Sequence, residues 1–224
     1  MNPRLDDWLE LQSASRLKNK RRTLRFLLKA YKQCVPDFTN KPRTDITTGD
    51  GGFSFHIGTP LPDLRQLSSW MLTTVPNRRL LAKMIPALWK RHGREDLSMA
   101  GLLLANLSPE DLGEDPWMAF IHLLQRREAL MVVLEVAEEI TRAGHPAPSD
   151  EWLVAAAEQS EHWHQYCVLF LSLRKGSIGA CDHLVRTAPA GGEMYERIRS
   201  RILEAEDSLR TEASDQHDGT TSAS

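Results

Sequence analysis

The run from Asn77 to Leu107, NRRLLAKMIPALWKRHGREDLSMAGLLLANL, constrains the fold more than any other part of the chain. Leu80, Leu81, Met84, Ile85, Leu88 and Trp89 recur at three- and four-residue steps, so they share one face of a helix. Gly93 breaks the pattern after a basic stretch, and Leu97, Ala100, Gly101, Leu104 and Leu107 resume it on a second helix. With polar residues on the other faces, each helix must bury its stripe against a neighbour. The unit then recurs. Ser108-Pro109-Glu110-Asp111 reads as a capped turn, and Pro116–Leu124 with Arg127–Arg142 forms a second pair. Beyond the punctuation of Gly144-His145-Pro146-Ala147-Pro148, Asp150–Gln159 with Glu161–Lys175 forms a third. Ile178–Thr187 with Glu193–Leu209 forms a fourth. Helix pairs about 35 residues apart predict an all-α fold, a HEAT-like repeat α-solenoid over residues 60–209, with an irregular helical bundle as the alternative.

Upstream of the repeats, residues 1–34 carry nine Lys or Arg against Asp6, Asp7 and Glu10, a local balance of +6. The whole chain is at -2, so the other 190 of its 224 residues sum to -8. Eight of the cations fall between Arg16 and Lys32 with no acid among them, beside a stripe of Leu17, Leu24, Leu27, Leu28 and Tyr31. A charge run of this kind is either a solvated helix face or a surface that tracks phosphates. Residues 35–59 form a connection too long for a compact helical domain. Within it, Asp45–Thr48 and Phe53–Ile57 flank Gly49-Asp50-Gly51-Gly52, and the pattern predicts a small β-hairpin over 45–57. The P-loop pattern is absent, which argues against a nucleotide phosphate site. Thr59-Pro60 predicts a capped helix start, followed by Leu64, Leu67, Trp70 and Met71 to about Thr74. From Arg210 the run TEASDQHDGTTSAS has almost no apolar residue, and 210–224 is expected to be a disordered tail.

Hydrophobic residues at 41% with 26% charged suit a globular protein, and no apolar run of about 18 residues exists to span a membrane. MNPRLDDWLELQ lacks the order of a signal peptide. Cys34, Cys167 and Cys181, odd in number and widely spaced, predict reduced thiols and a cytoplasmic protein, and a monomer is expected. Glu158, Glu161, His162 and His164 cluster in sequence, but residues two apart on a helix diverge, so neither a metal nor a cofactor is expected. Cys181-Asp182-His183 fails as a nucleophile for the same geometric reason. Trp70, Trp89, Trp117, Trp152 and Trp163 lie on apolar stripes and read as core ridges. The remaining basic positions are Lys90, Arg91 and Arg94 at one corner, then Arg126 and Arg127, then Arg174 and Lys175, then Arg197, Arg199 and Arg201. Stacked repeats would align such corners into a cationic ladder that contacts phosphates with little base specificity.

Two stretches carry a family likeness. Phe55-His56-Ile57-Gly58-Thr59-Pro60 followed by Leu64-Arg65-Gln66-Leu67 is similar to the opening of the HEAT-like alkylpurine DNA glycosylases, the DNA alkylation repair proteins of AlkD type. Leu88-Trp89, six residues before Glu95, and Glu151-Trp152 through Lys175 resemble that family's later repeats, so the likeness covers about residues 53–205. It implies a solenoid whose concave basic face cradles duplex DNA. It also implies hydrolysis of the glycosidic bond of N3- or N7-alkylated purines by an Asp near a helix start, two Trp rings and an Arg. In this chain Arg127 stands at the first Trp position, Met131 at the Asp, Tyr166 at the Arg and Arg201 at the second Trp. The expectation is therefore a DNA-binding relative without the standard catalytic constellation. Its DNA contacts would fall at Lys90, Arg91, Arg94, Arg126, Arg127, Tyr166, Arg174, Lys175, Arg197 and Arg201. Two alternatives are a working glycosylase using Glu128 or Glu135, one turn either side of Met131, and a protein-binding scaffold.

Overall fold

The computed structural model describes residues 2–36, 52–124 and 128–221, with side chains of the last helix described through Thr211. Every regular element among the described residues is helical. The chain divides into two compact units, Met1–His145 and Pro146–Ser224. Residues 60–209, expected as one repeat domain, have members in both units, and the N-terminal helices belong to the first.

In the first unit, α1 (Pro3–Glu10) and α2 (Lys20–Gln33) precede α3 (Leu61–Thr74), α4 (Arg79–Ala82) and α5 (Ile85–Arg91). They are followed by α6 (Arg94–Asn106), α7 (Pro109–Leu112), α8 (Pro116–Leu123) and α9 (Leu130–Arg142). The one helix expected from Asn77 to Arg91 is two, because Pro86 in the first turn of α5 cannot donate to a preceding turn. The expected stripe on α6 is also an understatement. Every residue from Glu95 to Ala105 is buried, and α3, α5, α8 and α9 all pack around it. Gly101 admits the closest of these neighbours, since a Cβ there would lie 2.7 Å from the side chain of Val136 on α9.

Residues 45–51 of the expected hairpin lie outside the described residues. The strand expected at its far side pairs elsewhere: Phe55 makes one parallel bridge to Gly93. The Ser54 amide donates to the His92 carbonyl at 2.8 Å, and the Arg94 amide donates to the Phe55 carbonyl at 2.9 Å. The strap from Phe53 to Pro60 is thus laid against the start of α6. Gly93 is required there because an added Cβ would sit 2.2 Å from the Phe55 ring. Thr59 does not cap α3. Pro60 occupies the cap position, and the Thr59 hydroxyl donates to the Tyr31 carbonyl at 3.2 Å, tying the strap to α2.

The second unit holds α10 (Asp150–Ala157), α11 (Glu161–Leu171), α12 (Asp182–Thr187) and α13 (Glu193–Thr221). Ser149 and Ser160 accept from the amides of Trp152 and Trp163, so α10 and α11 each begin on a serine cap. The expected disordered tail begins as helix: α13 continues to Thr221, because extending a formed helix needs no new nucleus. Asp182 at the start of α12 holds Arg186 and Arg210 at 2.8 and 2.7 Å, and Arg186 also reaches Asp207 at 2.6 Å. Hydrogen bonding to Arg186, then to Arg210, lowers the Asp182 carboxyl below its ordinary value. A depressed folded-state value gives stability that is complete above the unfolded value and is lost as pH falls through the folded one. Asp182→Asn should therefore cost about 1 kcal/mol at pH 7, given the exposure of the arginines. In urea titrations that deficit should shrink as the pH falls below about 4. A deficit independent of pH would show that the charge does not stabilise α12.

Candidate nucleic-acid interface

The cations expected to form a ladder divide sharply by what they touch. Arg91 forms a two-pronged pair with Asp96, donates to the Leu24 carbonyl at 3.1 Å and lies over the Phe55 ring at 5.7 Å. Asp96 also accepts from the Tyr31 hydroxyl at 3.1 Å. Burial pushes the Asp96 carboxyl above its ordinary value in spite of both partners. Arg94 donates to the Thr59 carbonyl at 3.2 Å. Arg174 reaches Asp150 at 2.5 Å and the Pro148 carbonyl at 3.2 Å. These three arginines join helices to loops inside their own units. Lys90, Lys175 and Arg201 are exposed, and Arg197 pairs with Glu193 on the surface of α13. The shallow surface holding Arg197 and Arg201 also holds Glu193, Glu196 and Glu204, so its charge is mixed. Arg126 and Arg127 lie outside the described residues. Tyr166 is fully buried in α11 and offers nothing to a ligand.

The catalytic candidates are also accounted for. Glu128, expected to project towards a groove, is buried. It accepts from the Trp89 indole at 3.1 Å and meets His92 Nε2 at 2.5 Å. His92 takes a left-handed conformation (φ 58°) at the end of α5, and this carries the chain from α5 into the strap contact. Glu128 therefore binds the turn after α5 to the start of α9. Glu135 is half-buried on α9, and its Oε1 has no hydrogen-bond partner among the described residues. Beside it, Glu139 pairs with Arg65 and Arg142. Burial and the neighbouring carboxylates raise Glu138. Met131, expected from the resemblance to stand in place of the acid, is exposed. Burial pushes the Cys34 and Cys167 thiols up to about 12 and raises Cys181, so none supplies a thiolate at neutral pH. His183 is exposed and donates to the Ala180 carbonyl. Among the described residues no three metal-ligating side chains gather, and no helix is long and apolar enough to cross a membrane.

One concave site stands apart, at the N-terminus. A cleft of about 510 Å³ is lined by Trp8, Gln12, Ser15, Arg16, Arg22, Arg25, Phe26 and Lys29. Asn19 makes it possible by interrupting the basic run. A short 3-10 turn, Ala14–Leu17, comes before it, and its side chain caps α2 by accepting from the Arg22 amide at 3.1 Å. The chain therefore folds back, with α1 laid on α2 by burial of Leu5, Leu9, Phe26 and Leu27. Arg16, Arg22, Arg25 and Lys29 are exposed, and none forms an ion pair or a side-chain hydrogen bond among the described residues. Lys20, Arg21 and Arg22 fill the first turn of α2, where the helix dipole favours negative charge. Such an arrangement is unfavourable by itself and becomes favourable when an anion settles over it. Below the cations, Trp8, Phe26 and Trp70 form a continuous stack with 5.3 Å between successive centroids. Phe26 is buried, and Trp8 and Trp70 are half-buried. Sequence reasoning found the charges but missed Trp8, the only aromatic residue on α1, whose proximity to the basic run was the available signal. Comparison with protein-family models, with curated proteins and with solved structures finds no match for the chain.

Proposed function

We propose that the chain is a HEAT-like helical repeat protein, related to the alkylpurine glycosylases, that binds DNA through its phosphate backbone. Its main contact is the N-terminal cleft. The observation that carries this reading is the set of four arginine and lysine side chains in one cleft with no acidic partner among the described residues. Packing between successive helices supports the repeat assignment within each unit: α5 with α6 in the first, α10 with α11 and α12 with α13 in the second. The cationic contact moves from the repeat corners to α1 and α2, because Arg91, Arg94 and Arg174 serve internal bonds. Glu128 takes no catalytic part in this reading, since it is buried against Trp89 and His92.

Fluorescence anisotropy with a labelled oligonucleotide across a salt series tests it. Affinity should fall steeply between about 50 and 200 mM salt, as counterion release requires. Removing Arg22 and Arg25 together by alanine substitution should lower the slope of log affinity against log salt by about 2. Failure to bind at the lowest salt, or a slope untouched by the double substitution, would rule the reading out.

A further inference from the structure

We infer that the N-terminal cleft receives an unpaired nucleotide, and so prefers single-stranded nucleic acid to a blunt duplex. This rests on the backbone-binding reading above and names the ligand of the same site. Phosphates alone would need only the cations. The floor of the cleft is instead aromatic: Trp8 and Phe26 line it together with Arg16, Arg22, Arg25 and Lys29. In a duplex the faces of the bases are stacked on one another and only phosphates and groove edges reach a concave protein surface. The outer face of the half-buried Trp8 indole, set among cations, would then meet no base. An unpaired base does have a free face, and stacking on an aromatic ring is the sequence-tolerant way proteins hold it.

Two features make Trp8 a platform rather than a loose surface ring. Its indole is nearly parallel to Phe26 (28° between planes), and Phe26 is nearly parallel to Trp70 (23°), so the stack is braced from α3. The orientation of the outer ring is therefore fixed before a ligand arrives. The cleft volume of about 510 Å³ also lies within the range that encloses a ligand the size of one or two nucleotides. The cations stand on α2 and on the turn before it, so they can hold the phosphates on both sides of the stacked base. Gln12 and Ser15 complete the wall with neutral polar groups that suit base edges without selecting one.

The test compares a labelled single strand of about 15 nucleotides with its own blunt duplex at one salt concentration, using the full chain. Wild type should bind the single strand about tenfold more tightly. Trp8→Ala should remove that preference, lowering single-strand affinity about tenfold while leaving duplex affinity within about twofold. Trp8→Phe keeps a ring in place and should retain most of the preference. It also guards against a Trp8→Ala chain whose α1 has come loose, which circular dichroism would report. Equal affinity for the two forms in wild type, or equal losses on both in Trp8→Ala with Trp8→Phe no better, would overturn the inference and leave the backbone reading standing. Absence of binding to either form at low salt would overturn both. Binding to phosphatidylserine vesicles without binding to oligonucleotide would also overturn both, because it would assign the cations to a lipid surface.

Discussion

Glu95→Ala is expected to lower stability by about 4 kcal/mol, because it breaks a buried polar network. Glu95 is fully buried at the start of α6. One of its carboxylate oxygens accepts from the amides of Ile57, Gly58 and Thr59 at 2.9, 2.8 and 3.3 Å. Those amides belong to a strap that forms no regular structure, so removing the carboxylate leaves buried donors with no replacement nearby. Water could reach Gly58, which is exposed, but Ile57 and Thr59 are enclosed. Glu95→Gln keeps an acceptor oxygen of the same reach and should cost less than half as much. The midpoint of urea unfolding measures both variants. Glu95→Ala within about 1 kcal/mol of wild type would mean that the strap is not held by this side chain.

The second large effect is Asp96→Ala, also about 4 kcal/mol, because it leaves the half-buried Arg91 guanidinium without its carboxylate and the buried Tyr31 hydroxyl without its acceptor. The same physics gives a sharper expectation for a joint change. Burial already acts against the Asp96 charge, as its raised pKa shows. An ion pair held against such desolvation contributes little net stability compared with apolar side chains of similar volume. Arg91→Met with Asp96→Leu and Tyr31→Phe should therefore recover most of the stability lost in Asp96→Ala. A triple variant as unstable as the single one would show that the pair itself, rather than the orphaning of its partners, stabilises the unit.

What could be read from the sequence was local. Ser108 announces its helix because a cap is a matter of adjacent residues, and it caps the helix that begins beside it; Ser149 and Ser160, unremarked in the sequence, do the same for theirs. The apolar steps of α9 and α11 likewise depend on one helix alone. The site was less legible, because the fate of a charged side chain depends on partners far along the chain. Arg91 reads as one more surface cation in a basic stretch, yet its position is set by Leu24, some 67 residues earlier. Glu128 reads as a residue near a groove, yet Trp89, 39 residues earlier, claims it. Arg25 and Lys29 keep the solvent exposure that their sequence suggests, and neither has an acidic partner among the described residues. The break at Asn19 is masked because the leucine stripe runs across it, with Leu17 before and Leu24 after.

The enclosure of α6 has a practical consequence for anyone dissecting this molecule. A rod surrounded on all flanks has no exterior, so it can act only as an axle for the segments around it. Changes along it report solely on whether the first unit holds together. Changes on the outward side of α2, where Arg22, Arg25 and Lys29 are exposed, leave the packing around α6 untouched. In the proposed reading, recognition rests on the exposed side of α2, apart from the enclosed α6, so that each can be edited while the other is left as a control.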